Sequence, residues 1–146
     1  MNMKKISSKL EDYLEAIYLL QQKNIVARVK DLAQMLGVRP PTAISAVQRL
    51  TDLELVEHQH YGYIRLTEEG LGIAKSIYKR HETLLAFLVD ILNIDVEKAL
   101  PQACGMEHSI SLSTRDKFEL LTDFIKSDPA IWKKWQEFRE GNKDEK

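Results

Sequence analysis

The sequence predicts a mainly α-helical protein: an N-terminal winged helix-turn-helix with a two-stranded wing, a long linking helix and a C-terminal helical dimerisation domain. Three observations carry this expectation. Two short helical segments are separated only by Gly37-Val38-Arg39-Pro40, the spacing of a helix-turn-helix. Two strand-like runs with a turn between them follow, so the order is helix, helix, helix, hairpin. From Thr67 onward the pattern is helical, and about 65 residues in three helices and part of a fourth make a marginal core alone. Pairing of two copies is the usual remedy. A generic small α+β domain is the alternative.

The first helix opens at Ser7 or Ser8, with Leu10, Leu14, Ile17, Tyr18 and Leu20 on one face. With Ser8 as cap, Glu11 has the capping-box spacing. A short helix follows from about Lys30 to Leu36, and Gly37 is placed to end it. The next starts at Pro40-Pro41, where proline suits the first helical turn, and its expected buried stripe is Ala43, Ile44, Val47 and Leu50. Leu55–His58 and Tyr63–Leu66 read as strands around the turn Gln59-His60-Tyr61-Gly62. Thr67 caps a long helix to about Leu92, with Glu68 and Glu69 complementing its dipole. Helices from about Asp95 to Glu107, Ser113 to Lys126 and Asp128 to Glu140 complete the chain, Pro129 lying in the first turn of the last. Expected domains are 1–70 and 71–140, with a flexible tail over 141–146.

Composition narrows the function. Charged residues make up 29% and apolar ones 44% of 146 residues, a globular mixture rather than a disordered one. No apolar run approaches a membrane span, and the start carries no apolar signal core. One cysteine forms no internal disulfide, which points to a reducing, cytoplasmic setting. Residues 1–80 hold 12 Lys+Arg against 9 Asp+Glu, whereas residues 81–146 hold 9 against 13. A mildly basic front half suits a polyanion.

Cys104-Gly105-Met106-Glu107-His108 is the most informative stretch. On a helix, positions 104, 107 and 108 share a face, offering thiol, carboxylate and imidazole to a borderline divalent metal. Asp12 and Glu15 make a second one-face pair on the first helix, and His81 lies within the long helix. Taken singly, each is as readily packing or solvated surface. His58 and His60 form a further pair in the wing. The stripe Trp132, Trp135 and Phe138 reads as core or dimer packing rather than a ligand cage.

These residues carry a resemblance. Ser8 through Tyr18, Ala27 through Ala33, Val38 through Thr42, Leu66-Thr67-Glu68-Glu69-Gly70, Arg80-His81-Glu82-Thr83-Leu84-Leu85 and Cys104 through His108 resemble the diphtheria-toxin-repressor family of metal-dependent transcriptional regulators. The likeness extends in order and spacing to about residue 125, and the size resembles the two-domain manganese regulators, without the SH3-like domain of longer members. It implies a metal-activated, homodimeric repressor, not an enzyme, binding a palindromic double-stranded DNA operator. Asp12 and Glu15 match ligands of the manganese-responsive branch; the iron-responsive branch has methionine at the first of these positions. His81, Glu107 and His108 match ligands of both branches. Cys104 stands where the manganese branch has a bridging glutamate and the iron branch a cysteine. Leu85 and Leu100 replace two ancillary ligands of the iron branch. The resemblance thus implies Mn(II) or Fe(II), with Zn(II) or Co(II) able to bind in vitro. Asp12, Cys104, Glu107 and His108 would form the stronger site, and His81 with Glu15 the weaker.

For DNA, the second helix of the motif enters the major groove by its N-terminal residues. Expected contacts are Pro41, Thr42, Ser45 and Arg49, with Arg28, Lys30 and Arg65 on the backbone; Ala46 is also expected to be exposed. Two other readings compete. One is a winged-helix regulator sensing redox state through Cys104; the other is a metalloenzyme. The second lacks a separate general base, a phosphate cradle and an open metal position.

Overall fold

The apolar spacing of the first segment buries Leu10, Tyr13, Leu14, Ala16, Ile17 and Leu20 on one face of α1 (Ser8–Gln22). The computed structural model describes residues 5–23, 26–59 and 62–143. Ser7, not Ser8, caps α1: its Oγ accepts from Leu10 N at 3.3 Å. Ile6 packs against the core and fixes chain entry, so Glu11 falls one place beyond the capping-box position. Tyr18 is only half-buried and meets the Tyr78 ring at 5.5 Å between centroids.

The chain divides into two compact units between Lys79 and Arg80. In the first, β1 (Ala27–Arg28) leads into α2 (Val29–Leu36), which ends at Gly37 with φ +64°. Glycine adopts that left-handed geometry without a Cβ penalty. The helix α3 (Pro40–Asp52) follows. Its buried stripe is Ala43, Ala46, Val47 and Leu50. Two expectations are thereby corrected: Ile44 is 53% exposed and Ala46 is buried. Spacings of three, four and seven from Ala43 define the inward face, and Ile44 lies about 100° off it.

The strands β2 (Val56–His58) and β3 (Tyr63–Leu66) form the hairpin. The sequence predicts a two-stranded wing; the sheet has a third strand, in order β1-β3-β2 and antiparallel throughout. Ala27 is small and fully buried, which lets the chain before α2 pair with β3. The expected turn includes His60 and Tyr61, which lie outside the described residues, as does half of the His58/His60 pair. His58 is exposed. Leu14, Ile17, Leu32, Leu50, Leu55 and Ile64 close this core.

Thr67 caps α4 (Glu68–Ala86) as its sequence predicts, accepting from Gly70 N at 3.1 Å. It also donates through Oγ1 to Glu54 O at 2.8 Å, and its N–H donates to Leu55 O at 3.1 Å. The Leu55 carbonyl lies against Gly70, so near that a Cβ there would meet it at 1.9 Å.

The second unit contains the end of α4, which passes into a π-helical turn (Phe87–Ile91), then α5 (Val96–Glu107), α6 (Leu112–Ser127) and α7 (Pro129–Gly141). Ser111 caps α6, accepting from Thr114 N at 3.1 Å, so the helix starts before Ser113. Asp128 caps α7 through Ala130 N at 2.7 Å. Leu84, Leu88, Ala99 and Ala103 form the core, with Phe87 and Phe118 edge to face at 5.0 Å. No residue of α7 is buried, so the Trp132/Trp135/Phe138 stripe is not core within this chain. Instead Trp135 Nε1 and Arg139 Nη1 donate to Ile91 O at 2.8 and 3.0 Å, and Lys126 pairs with Asp90 at 2.6 Å. A π-helical turn shifts the backbone ladder by one residue; Trp135 and Arg139 cap the carbonyls at its end, and Lys126 pairs with the Asp90 carboxylate within it. Among the described residues no helix is long and apolar enough to cross a membrane.

Candidate metal centre

The helical periodicity of α5 turns Ala99, Ala103 and Glu107 to the interior. Glu107 is the outlier in that series: a carboxylate with no exposed surface. Its Oε2 lies 2.8 Å from His81 Nδ1, contributed by α4, and its Oε1 lies 3.3 Å from His108 Nε2 at the end of α5. The second approach lacks hydrogen-bond geometry, and Oε1 has no hydrogen-bond partner among the described residues. His81 and His108 are 18% and 12% exposed, so both imidazoles are largely withdrawn from water. Cys104 is exposed, one turn earlier on α5. Cys104, Glu107 and His108 each offer a donor atom within 4.8 Å of the others, and His81 and Glu107 do the same.

A buried carboxylate with an orphaned oxygen is costly unless a cation compensates it. Thiolate, carboxylate and imidazole together suit a borderline divalent transition ion. The donor set therefore fits a metal, and the bond between His81 and Glu107 orients an imidazole as such sites require. Four of the six sequence-predicted ligands converge in this unit. The other two, Asp12 and Glu15, are half-buried on one face of α1 in the first unit. Beside them, the Tyr13 hydroxyl is buried without a hydrogen-bond partner among the described residues. Burial first, and the neighbouring Asp12 carboxylate second, raise its pKa above the ordinary tyrosine value, which keeps it protonated.

The seven predicted DNA contacts are all exposed in the first unit: Pro41, Thr42, Ser45 and Arg49 on α3, Arg28 before α2, Lys30 in its first turn, and Arg65 on β3. Tyr63, which the sequence does not single out, accepts a hydrogen bond at its hydroxyl from Arg28 Nη2 at 3.1 Å. The contact depends on the cross-strand register of β1 and β3, which a two-residue strand is too short to announce in sequence.

Two family profiles match consecutive parts of the chain. Residues 5–64 match the iron-dependent repressor N-terminal DNA-binding domain, and residues 67–136 the iron-dependent repressor metal-binding and dimerisation domain. The HTH-type transcriptional regulator MntR of Bacillus subtilis is 36% identical over 121 residues, covering 83% of this chain and 84% of that protein. An uncharacterized HTH-type transcriptional regulator of Methanocaldococcus jannaschii is 33% identical over 122 residues, covering 83% of this chain and 98% of the relative. Among solved structures, a manganese-dependent transcriptional repressor in complex with manganese is similar with a TM-score of 0.73 and 28% identity, over 79% of this chain and 53% of that one. The chain spans about half the length of that structure and of the manganese regulator SloR, which is similar with a TM-score of 0.66. With profiles covering both of its units, and the buried donor cluster inside the second, the chain belongs to the iron-dependent repressor family of metal-dependent transcriptional regulators.

Proposed function

We propose that this repressor is a cytoplasmic homodimer whose grip on a palindromic duplex is switched on by a divalent ion held between donors of its two units. Asp12 joins Cys104, Glu107 and His108 as the stronger site, and Glu15 joins His81 as the weaker. The observation that carries this reading is the orphaned oxygen of the fully buried Glu107. When bound, the ion supplies the positive charge that holds carboxylates of α1 and donors of α5 in one arrangement. Glu107 turns one oxygen to His81 and the other to His108, so it links the two donor groups. Fixing the orientation of the DNA-binding unit sets the spacing of paired α3 helices against successive major grooves. A coupling of about 1–3 kcal/mol changes DNA affinity about 5–150-fold. Exposed Leu92, Val96 and Leu100, together with Leu120, Leu121 and Phe124, give the helical unit apolar surface for pairing.

The test is to expose metal-stripped protein to a random-sequence duplex pool with Mn(II), Fe(II) without oxygen, Zn(II), Co(II) or chelator. A palindrome enriched only with metal is the expected result; equal enrichment in chelator would sink the switch. Asp12→Ala is expected to remove the metal dependence while leaving unfolding unchanged, since Asp12 is half-buried on the surface of α1. Manganese and iron both remain within reach of this donor set. The thiolate adds preference for softer ions over Mn(II). Cys104→Ser is accordingly expected to weaken Zn(II) and Co(II) binding about tenfold more than Mn(II) binding, and to erase the sulfur charge-transfer band of the Co(II) form. Retention of that band would remove Cys104 from the ligand set. The redox-sensor alternative gains no support from a thiol placed among metal donors.

A further inference from the structure

Arg28 and Tyr63 stand opposite one another where β1 pairs with β3. The guanidinium carbon lies 4.8 Å from the centre of the Tyr63 ring, and Nη2 donates to the hydroxyl at 3.1 Å. The neighbouring pair in the register, Ala27 and Ile64, is buried, so the strand backbones under Arg28 and Tyr63 are anchored from the core side. An exposed arginine ordinarily loses rotamer freedom on binding; ring and hydroxyl have already restricted this one. Tyr63 accepts one hydrogen bond here and keeps its own proton to donate. Arg28 immediately precedes α2, the first helix of the helix-turn-helix, which in this motif crosses the DNA backbone. Arg65 shares the outer face of β3 with Tyr63. An open depression of about 430 Å³ beside them is lined by Gln21, Gln59, Tyr63 and Arg65 among others.

We infer that Arg28 and Tyr63 act as one phosphate-binding unit for the backbone of duplex DNA. A guanidinium N–H and the Tyr63 O–H donate to oxygens of a single phosphodiester, while the tyrosine also fixes the guanidinium. Hydroxyl and arginine donors are both common partners of backbone phosphates. The inference rests on reading Arg28 as a DNA contact, and its test separates the two. With the full chain, Mn(II) and a random-sequence duplex, affinity is measured across a salt series. Arg28→Ala is expected to reduce the slope of log affinity against log salt by about 0.9, one phosphate; an unchanged slope would end both the reading and the inference. Tyr63→Phe keeps the ring and is expected to weaken binding about tenfold with little change in slope. Arg28→Ala combined with Tyr63→Phe should bind within about twofold of Arg28→Ala alone, because the hydroxyl acts only with its partner. Losses that multiply, or a Tyr63→Phe variant that binds like the parent, would overturn the unit while leaving Arg28 a contact. A tyrosine that merely stiffened the wing would alter unfolding without this coupling to Arg28.

Discussion

Glu107→Gln lowers the affinity for a divalent ion by about 100-fold or more, the largest functional effect expected of a single substitution in this chain. Loss even of groups that only support a ligand costs about 10–100-fold, and Glu107 is the donor common to both proposed sites. Glutamine keeps the volume and removes the charge. The side chain is fully buried with an oxygen that lacks a hydrogen-bond partner, so the metal-free variant is expected to be as stable as the parent or more so. The signs in the two states therefore differ. With free metal about 100-fold above the parental dissociation constant, the parent gains about 2.7 kcal/mol of stability, and a variant binding 100-fold more weakly gains about 0.4 kcal/mol. Thermal unfolding with and without Mn(II), beside a competition titration against a chelator, measures both quantities. A variant that kept the parental metal shift and lost stability without metal would make Glu107 a structural residue.

Gly70→Ala is expected to destabilise the first unit by about 2–3 kcal/mol. The added Cβ would lie 1.9 Å from the Leu55 carbonyl oxygen, 2.9 Å from its carbon and 3.3 Å from Cα. All three are backbone atoms, and no rotamer moves them aside. That carbonyl also accepts from Thr67 N, and the preceding one from Thr67 Oγ1, so shifting the chain breaks the cap of α4 as well. Helix propensity returns about 1 kcal/mol and does not cover the clash. Gly72 makes the control: a Cβ there meets nothing within 4 Å, and Gly72→Ala should stabilise by about 0.5–1 kcal/mol. Denaturant unfolding of both variants checks the pair, and a common direction of change would refute the steric account.

What the sequence made legible was local. Gly37 as a left-handed stop, Thr67 as a cap and Pro40-Pro41 at a helix start each depend on neighbours within a few residues, and each is found where expected. The elements it missed depend on distant partners. Strand β1 exists because Ala27 and Arg28 meet Ile64 and Tyr63, some 35 residues away in the chain; no periodicity fits in two residues. Hydrophobicity alone favours Ile44 for the interior of α3, whereas angular position on the helix buries the smaller Ala46. At the candidate metal cluster, residue types and spacing along α5 single out Cys104, Glu107 and His108 as candidate donors, and their donor atoms lie close together. That the carboxylate is fully buried and bonded to His81 belongs to the packing of α4 on α5, to which one-dimensional spacing is blind.

The last helix is fastened rather than embedded. Trp135 and Arg139 reach the carbonyls of Asp90 and Ile91 at the end of the π-helical turn, while no residue of α7 is buried. Fasteners are directional and few, unlike an apolar face whose every position carries weight. The outer positions of α7 are therefore open to replacement without disturbing α4 and α5, and change at this end of the protein is constrained chiefly at the two side chains that clasp Ile91.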